Sequence, residues 1–133
     1  METNSTNHVE LLRLLSSSLQ DKEQELDSER VNIMTMHKAK GLTASAVILI
    51  AAEDEYIPGS QMGEKEGDEQ RLLYVSLSRA RHFLAVTYCD HRTRYQKYTG
   101  RTSGSSRRTL TRFLRDAPIA PIDGQSFVGR LEA

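Results

Sequence analysis

One cysteine, Cys89, is all the thiol chemistry that this chain of 133 residues carries. No internal disulfide can staple it, and a reducing, cytoplasmic compartment is the natural reading. Long apolar runs are missing as well. None approaches the roughly 20 residues that span a bilayer, and the first twenty residues lack the pattern of a signal peptide, so no membrane partner is expected. Net charge is absent too: 18 basic and 18 acidic side chains give a formal charge of zero, which argues against a protein that grips nucleic acid by bulk charge alone. His8, His37, His82 and His91 are too scattered to suggest a metal cluster. No serine or cysteine has a local nucleophile signature. There is no GxxxxGK[ST] segment, hence no phosphate-cradling loop, and no acidic pair reads as a magnesium site. Repeats are lacking, and the length suits one core.

What charge there is falls in blocks. Glu53 to Glu69 is acidic, with Lys65 its single base, whereas His91 to Arg115 carries eight lysines and arginines and no acid. Such a basic block can meet phosphate; a solvated surface or a mobile loop is the commoner reason for one.

The strongest pattern is Asp68–Arg81, DEQRLLYVSLSRAR. Leu73, Leu77 and Ala80 recur at helical spacing, with Leu72 and Val75 widening the apolar stripe. Acids open it and Arg79 and Arg81 close it, as the helix dipole favours. By itself this is an amphipathic helix. Upstream, His8–Gln20 has leucines at helical spacing with Asn7 as a cap and predicts a further helix, followed by a charged link at 21–30. Val31–Met36 alternates and predicts a strand. The turn HKAKG then leads to Ala46–Ala51, AVILIA, a continuously apolar strand of the type buried on both faces of a parallel sheet. Position leaves two readings of the turn open: solvated residues closed by Gly41, or chemistry beyond a strand's carboxyl end, where ligands of open α/β sheets bind. Glu53–Gly67, with a proline and three glycines, predicts a loop able to move. His82–Tyr88 predicts a third strand, completing a right-handed β-α-β unit. Arg101–Arg108 reads as a loop, Thr109–Arg115 as a short helix, and the segment from Gln125 has no clear assignment.

Taken together, a strand running into TMHKAKGL, a second strand, the acidic EDEYIPG, then LYVSLSRA, a strand and TRFLRDAP resemble the UvrD/Rep-type DNA helicases of superfamily one. The match is to the carboxyl-terminal part of their second RecA-like domain, from about Val31 to Pro118. The resemblance implies a three-layer α/β fold with a mainly parallel sheet, a partial RecA-like, P-loop NTPase-type domain that lacks the P-loop. It divides the chain into an amino-terminal helix and linker (1–30), the helicase domain (31–118) and a tail (119–133). It also implies roles: Thr35, His37 and Lys40 near single-stranded or partly duplex DNA, Gly41 and Thr43 near nucleotide, and Arg79 as an arginine finger reaching a γ-phosphate held by another domain. The physics is compatible with those roles. Arg71 matches a further basic position, with a supporting ion pair to the acidic loop as its expected part.

Two departures stand out. Thr43 occupies the place where the family has glutamate, and Ser78 replaces a common threonine. ATP and Mg²⁺ would be held by an amino-terminal Walker-motif domain, so the 133-residue chain is expected neither to hydrolyse ATP nor to unwind DNA by itself. The competing expectation is a non-catalytic module of helicase-derived fold that uses the basic block on nucleic acid or protein.

Overall fold

The computed structural model describes residues 26–101 and 104–132. It is a small α/β structure, and its contacts divide it into two units, one formed by 26–51 with 61–87 and the other by 52–60 with 88–132. The predicted helix His8–Gln20 lies outside the described residues.

The first unit is a β-α-β element. Strand β1 (Ala44–Leu49), helix α1 (Glu64–Leu77) and strand β2 (Ala80–Val86) follow one another, and the two strands pair in parallel. The ladder opens where Ala44 N–H donates to Arg79 O at 3.0 Å and ends where Thr87 N–H donates to Leu49 O at 2.8 Å. A bulge between Ala44 and Ala46 shifts the register. Helix α1 starts at Glu64, four residues earlier than its apolar stripe announces, because Glu64 and Glu66 suit the positive end of its dipole. It also ends earlier. Ser78 closes it, and no basic residue lies in its last turn. Arg79 and Arg81 therefore do not belong to the helix: the backbone of Arg79 already serves the sheet ladder, and Arg81 lies in β2. Pairing with β1 has outcompeted helix propensity there. The stripe itself is as expected, with Leu73 only 2% exposed.

Two expectations for this unit fail. Residues 31–35 form no strand; extended backbone becomes a strand only when a neighbour takes its hydrogen bonds, and Val31 and Ile33 are each 90% exposed. AVILIA does form a parallel strand, but it is not buried on both faces: Ile48 is 62% and Ile50 68% exposed. A sheet of two strands covers too little of either face.

The second unit is built on a different principle. Ala52, Glu53, Asp54, Ile57, Pro58 and Gly59 are all buried in successive turns. The expected mobile loop is thus, over 53–59, the packed centre of its unit. Glu53 forms an antiparallel bridge with Leu110, and His91 forms one with Arg107. Buried Thr111 donates its N–H to Ala52 O at 2.8 Å and its hydroxyl to Ile57 O at 2.6 Å. Gly100, at φ +87, comes so close that an added Cβ would lie 2.9 Å from Cβ of Glu55. The short helix expected at Thr109–Arg115 is reduced to a 3₁₀ turn, Arg112–Leu114, because Leu110 and Thr111 are engaged in extended pairing. Helix α2 (Gly124–Leu131) was not assigned from sequence, although Asp123 caps it through Ser126 N–H at 2.9 Å.

Candidate functional site

Arg79 connects the two stretches that carry the sequence motifs. Its Nε donates to Val75 O at 2.9 Å, in the last turn of α1, and Nη2 donates to Ser78 Oγ at 3.0 Å. Nη1 reaches Leu42 O at 3.3 Å, thirty-seven residues away in sequence. The helix thus gains its cation at the carboxyl end from a residue just beyond it. A guanidinium has five N–H donors, and these three bonds leave two for another acceptor. The side chain is half-buried, which fixes its stem and keeps the head reachable.

The turn that Arg79 touches is itself well organised. Thr35 O accepts Ala39 N–H at 3.1 Å, Thr35 Oγ1 accepts Lys38 N–H at 3.4 Å, and Ala39 O accepts Leu42 N–H at 3.1 Å. Gly41, at φ +86, reverses the chain in a conformation that costs glycine little. His37, Lys38, Lys40 and Thr43 are exposed around it. Arg79, Gly41 and Thr43 therefore share one neighbourhood, with Thr35, His37 and Lys40 on the adjoining turn. Arg71 behaves differently from expectation: it pairs at 2.8 Å with Asp68 of its own helix, both side chains well exposed. Such a pair adds little stability.

The second unit holds the strongest electrostatics. Arg92 grips Glu53 with two bonds, Nε to Oε2 at 2.7 Å and Nη2 to Oε1 at 2.6 Å. Cys89 N–H adds a third at 3.2 Å, and Arg108 Nε stands 3.8 Å from the same carboxylate. Asp54 receives Arg112 through backbone N–H and Nε, each at 2.9 Å, and Nη2 at 2.8 Å, while Arg101 Nη2 approaches to 2.7 Å. The Arg112 side-chain bonds, with help from its backbone N–H and Arg101, hold the Asp54 carboxyl well below the usual carboxylate range, overriding the opposing effect of burial. Hydrogen bonding to Glu53 raises Arg92 in the same sense.

Four of the eight cations of the basic block are therefore consumed inside their own unit. Sequence reading noted both charge blocks without pairing them; the signal was their complementarity, three acids in a row at 53–55 and an acid-free stretch downstream. This arrangement does not fit a magnesium ion, since each carboxylate is already met by two arginines. Among the described residues no group of three or more histidines, cysteines and acids could hold a metal.

A family model described as the UvrD-like helicase C-terminal domain matches residues 1–91. The chain belongs to that family. It is 37% identical over 73 residues to the ATP-dependent DNA helicase Rep of Buchnera aphidicola subsp. Schizaphis graminum, covering 53% of this chain and 11% of the relative. DNA helicase II of Escherichia coli K12 is 40% identical over 73 residues, 52% of this chain and 10% of the relative. ATP-dependent DNA helicase PcrA of Staphylococcus aureus MRSA252 is 32% identical over 108 residues, 77% of this chain and 14% of the relative. The UvrD-like chain thus spans only about a tenth to a seventh of the relatives' length. No helix among its described residues is long and apolar enough to cross a membrane.

Proposed function

We propose that the chain is the carboxyl-terminal motor portion of an ATP-dependent DNA helicase, part of a three-layer RecA-like domain, and that Arg79 is its arginine finger. The observation that carries this reading is the anchoring of Arg79 between the end of α1 and Leu42 O, with two N–H groups left over. ATP and Mg²⁺ would sit on a Walker-motif domain supplied by the same longer protein or in trans, and the nucleotide supplies the phosphoryl group that is transferred. Arg79 would offer its free N–H groups to the oxygens on which charge develops. Gly41 and Thr43, beside Leu42, would line the same nucleotide, Thr43 by its hydroxyl where relatives of the pattern use a carboxylate.

The bond to Leu42 O gives this reading a coupling element. Thr35, His37 and Lys40 sit on the turn that ends at Leu42, so a DNA strand held by them would be linked to Arg79 through one carbonyl. Lysine can neutralise phosphate and histidine can stack on a base. In a full-length helicase carrying this segment, Arg79→Ala is expected to lower ATP turnover by about 10³-fold or more, with DNA affinity largely retained. Normal turnover in that variant would remove the finger role.

A further inference from the structure

Beyond the family match lies the 3₁₀ turn Arg94–Tyr98, RYQKY, in the second unit. A 3₁₀ helix has three residues per turn, so side chains at i and i+3 eclipse. Tyr95 and Tyr98 therefore share one row, and Arg94 and Lys97 share another. Both tyrosines are exposed, at 75% and 60%. Lys97 Nζ lies 4.8 Å over the Tyr98 ring, which keeps the cation beside the aromatic face. Neither Arg94 nor Lys97 makes an ion pair among the described residues. The arginines that neutralise Glu53 and Asp54 leave these two cations uncompensated.

The turn is held from beneath. Arg108, 2% exposed, donates through Nη1 to Ser105 O at 2.8 Å and through Nη2 to Thr99 O at 2.9 Å, with Gln96 O and Lys97 O each at 3.3 Å. Its own backbone closes the loop, Arg108 N–H donating to Asp90 O at 2.7 Å and Arg92 N–H to Ser106 O at 2.8 Å. One buried guanidinium thus gathers the turn's carbonyls inward. Arg94 is also kept at φ 53, a left-handed conformation that arginine seldom adopts. A surface that carries exposed aromatics and cations on a backbone already fixed has little ordering entropy left to lose on binding.

We propose that this turn is a platform for single-stranded nucleic acid, on which Tyr95 and Tyr98 stack successive bases while Arg94 and Lys97 meet the phosphates. Unstacked bases offer π-faces to tyrosine whatever their sequence, and the backbone supplies the complementary charge. A duplex offers phosphates but hides its base faces. The assignment is independent of Arg79 and shares with it only the class of ligand.

The test is fluorescence anisotropy of the full 133-residue chain with labelled oligo-dT and oligo-rU of about 20 nucleotides, and with a duplex of equal length. Tyr95→Ala/Tyr98→Ala should weaken single-strand binding at least about tenfold, while Tyr95→Phe/Tyr98→Phe, which keeps the rings, should stay within about twofold. Arg94→Gln/Lys97→Gln should flatten the dependence of log affinity on log salt by about 1.4, that is about 0.7 per phosphate released. Binding of either strand, or of both, supports the platform, and the preference tells DNA from RNA. Failure of the native chain to bind either strand at up to about 100 µM, the weak end of sequence-independent binding, overturns it. So does a Phe pair as weak as the Ala pair, or duplex binding that matches single-strand binding. Loss confined to His37→Ala/Lys40→Ala would also overturn it while leaving the proposed motor contacts standing.

Discussion

The two units invert the usual relation between hydropathy and burial. AVILIA, the most apolar run of the chain, leaves Ile48 and Ile50 mostly in solvent, whereas EDEYIPG, one of the most acidic, contains side chains that are almost completely enclosed. Two strands cannot cover each other's faces, because strand pairing joins edges and buries no face. Four arginines can enclose two carboxylates, because each N–H bond satisfies a lone pair that would otherwise make burial costly. Burial in this chain follows the availability of a complementary neighbour and not apolarity alone.

The contrast can be tested with single substitutions, and the largest effect belongs to the clamp. Glu53→Gln keeps the shape but leaves Arg92 and Arg108 without a buried counter-charge, a change that costs about 3–5 kcal/mol. Urea denaturation followed by tyrosine circular dichroism should show it, and a cost under about 1 kcal/mol would mean that the clamp does not hold the unit. Next comes Leu73→Ala, at about 2–5 kcal/mol by the same measurement, since Leu73 is the enclosed apolar side chain of the first unit.

Acid provides a third test. The Asp54 carboxyl is depressed in the folded chain, so its contribution is complete above the ordinary carboxylate range and is lost as pH falls from about 4 toward its lowered value. Stability of the native chain should therefore fall more steeply below about pH 4 than that of Asp54→Asn, the two being compared by denaturation at stepped pH. Parallel acid profiles would show that Asp54 gains nothing from Arg112 and Arg101. The smallest effect should come from the most hydrophobic run: Ile48→Thr, at an exposed position, should shift stability by no more than about 0.5 kcal/mol.

The β-α-β unit was legible because its signals are local. Helical spacing around Leu73 and the apolar run of β1 need no distant partner to be recognised, and the parallel pairing follows from the connection between them. The failures are all non-local. Whether Val31–Met36 becomes a strand depends on a neighbour to bond with, and whether 53–59 moves depends on arginines that follow dozens of residues later. The end of α1 was misread because Arg79 and Arg81 suit a helix terminus, yet β1 claims that stretch for pairing. At the candidate site, the residue types of TMHKAKGL and LYVSLSRA were readable, but the bond from Arg79 to Leu42 O that joins them was not. Asp123 before Gly124–Leu131 was a local signal passed over.

The bond between Asp54 and Arg112 spans 58 residues of sequence. At a synthesis rate of about 5–20 residues per second, roughly three to twelve seconds separate the emergence of the two ends from a ribosome. Through that interval the acids at 53–55 stay hydrated beside a β-α-β element whose own contacts are already complete in the nascent chain. Maturation of the second unit is therefore post-dated: it waits for an arginine made near the end of the segment, while the stretch bearing Arg79 can take shape before it.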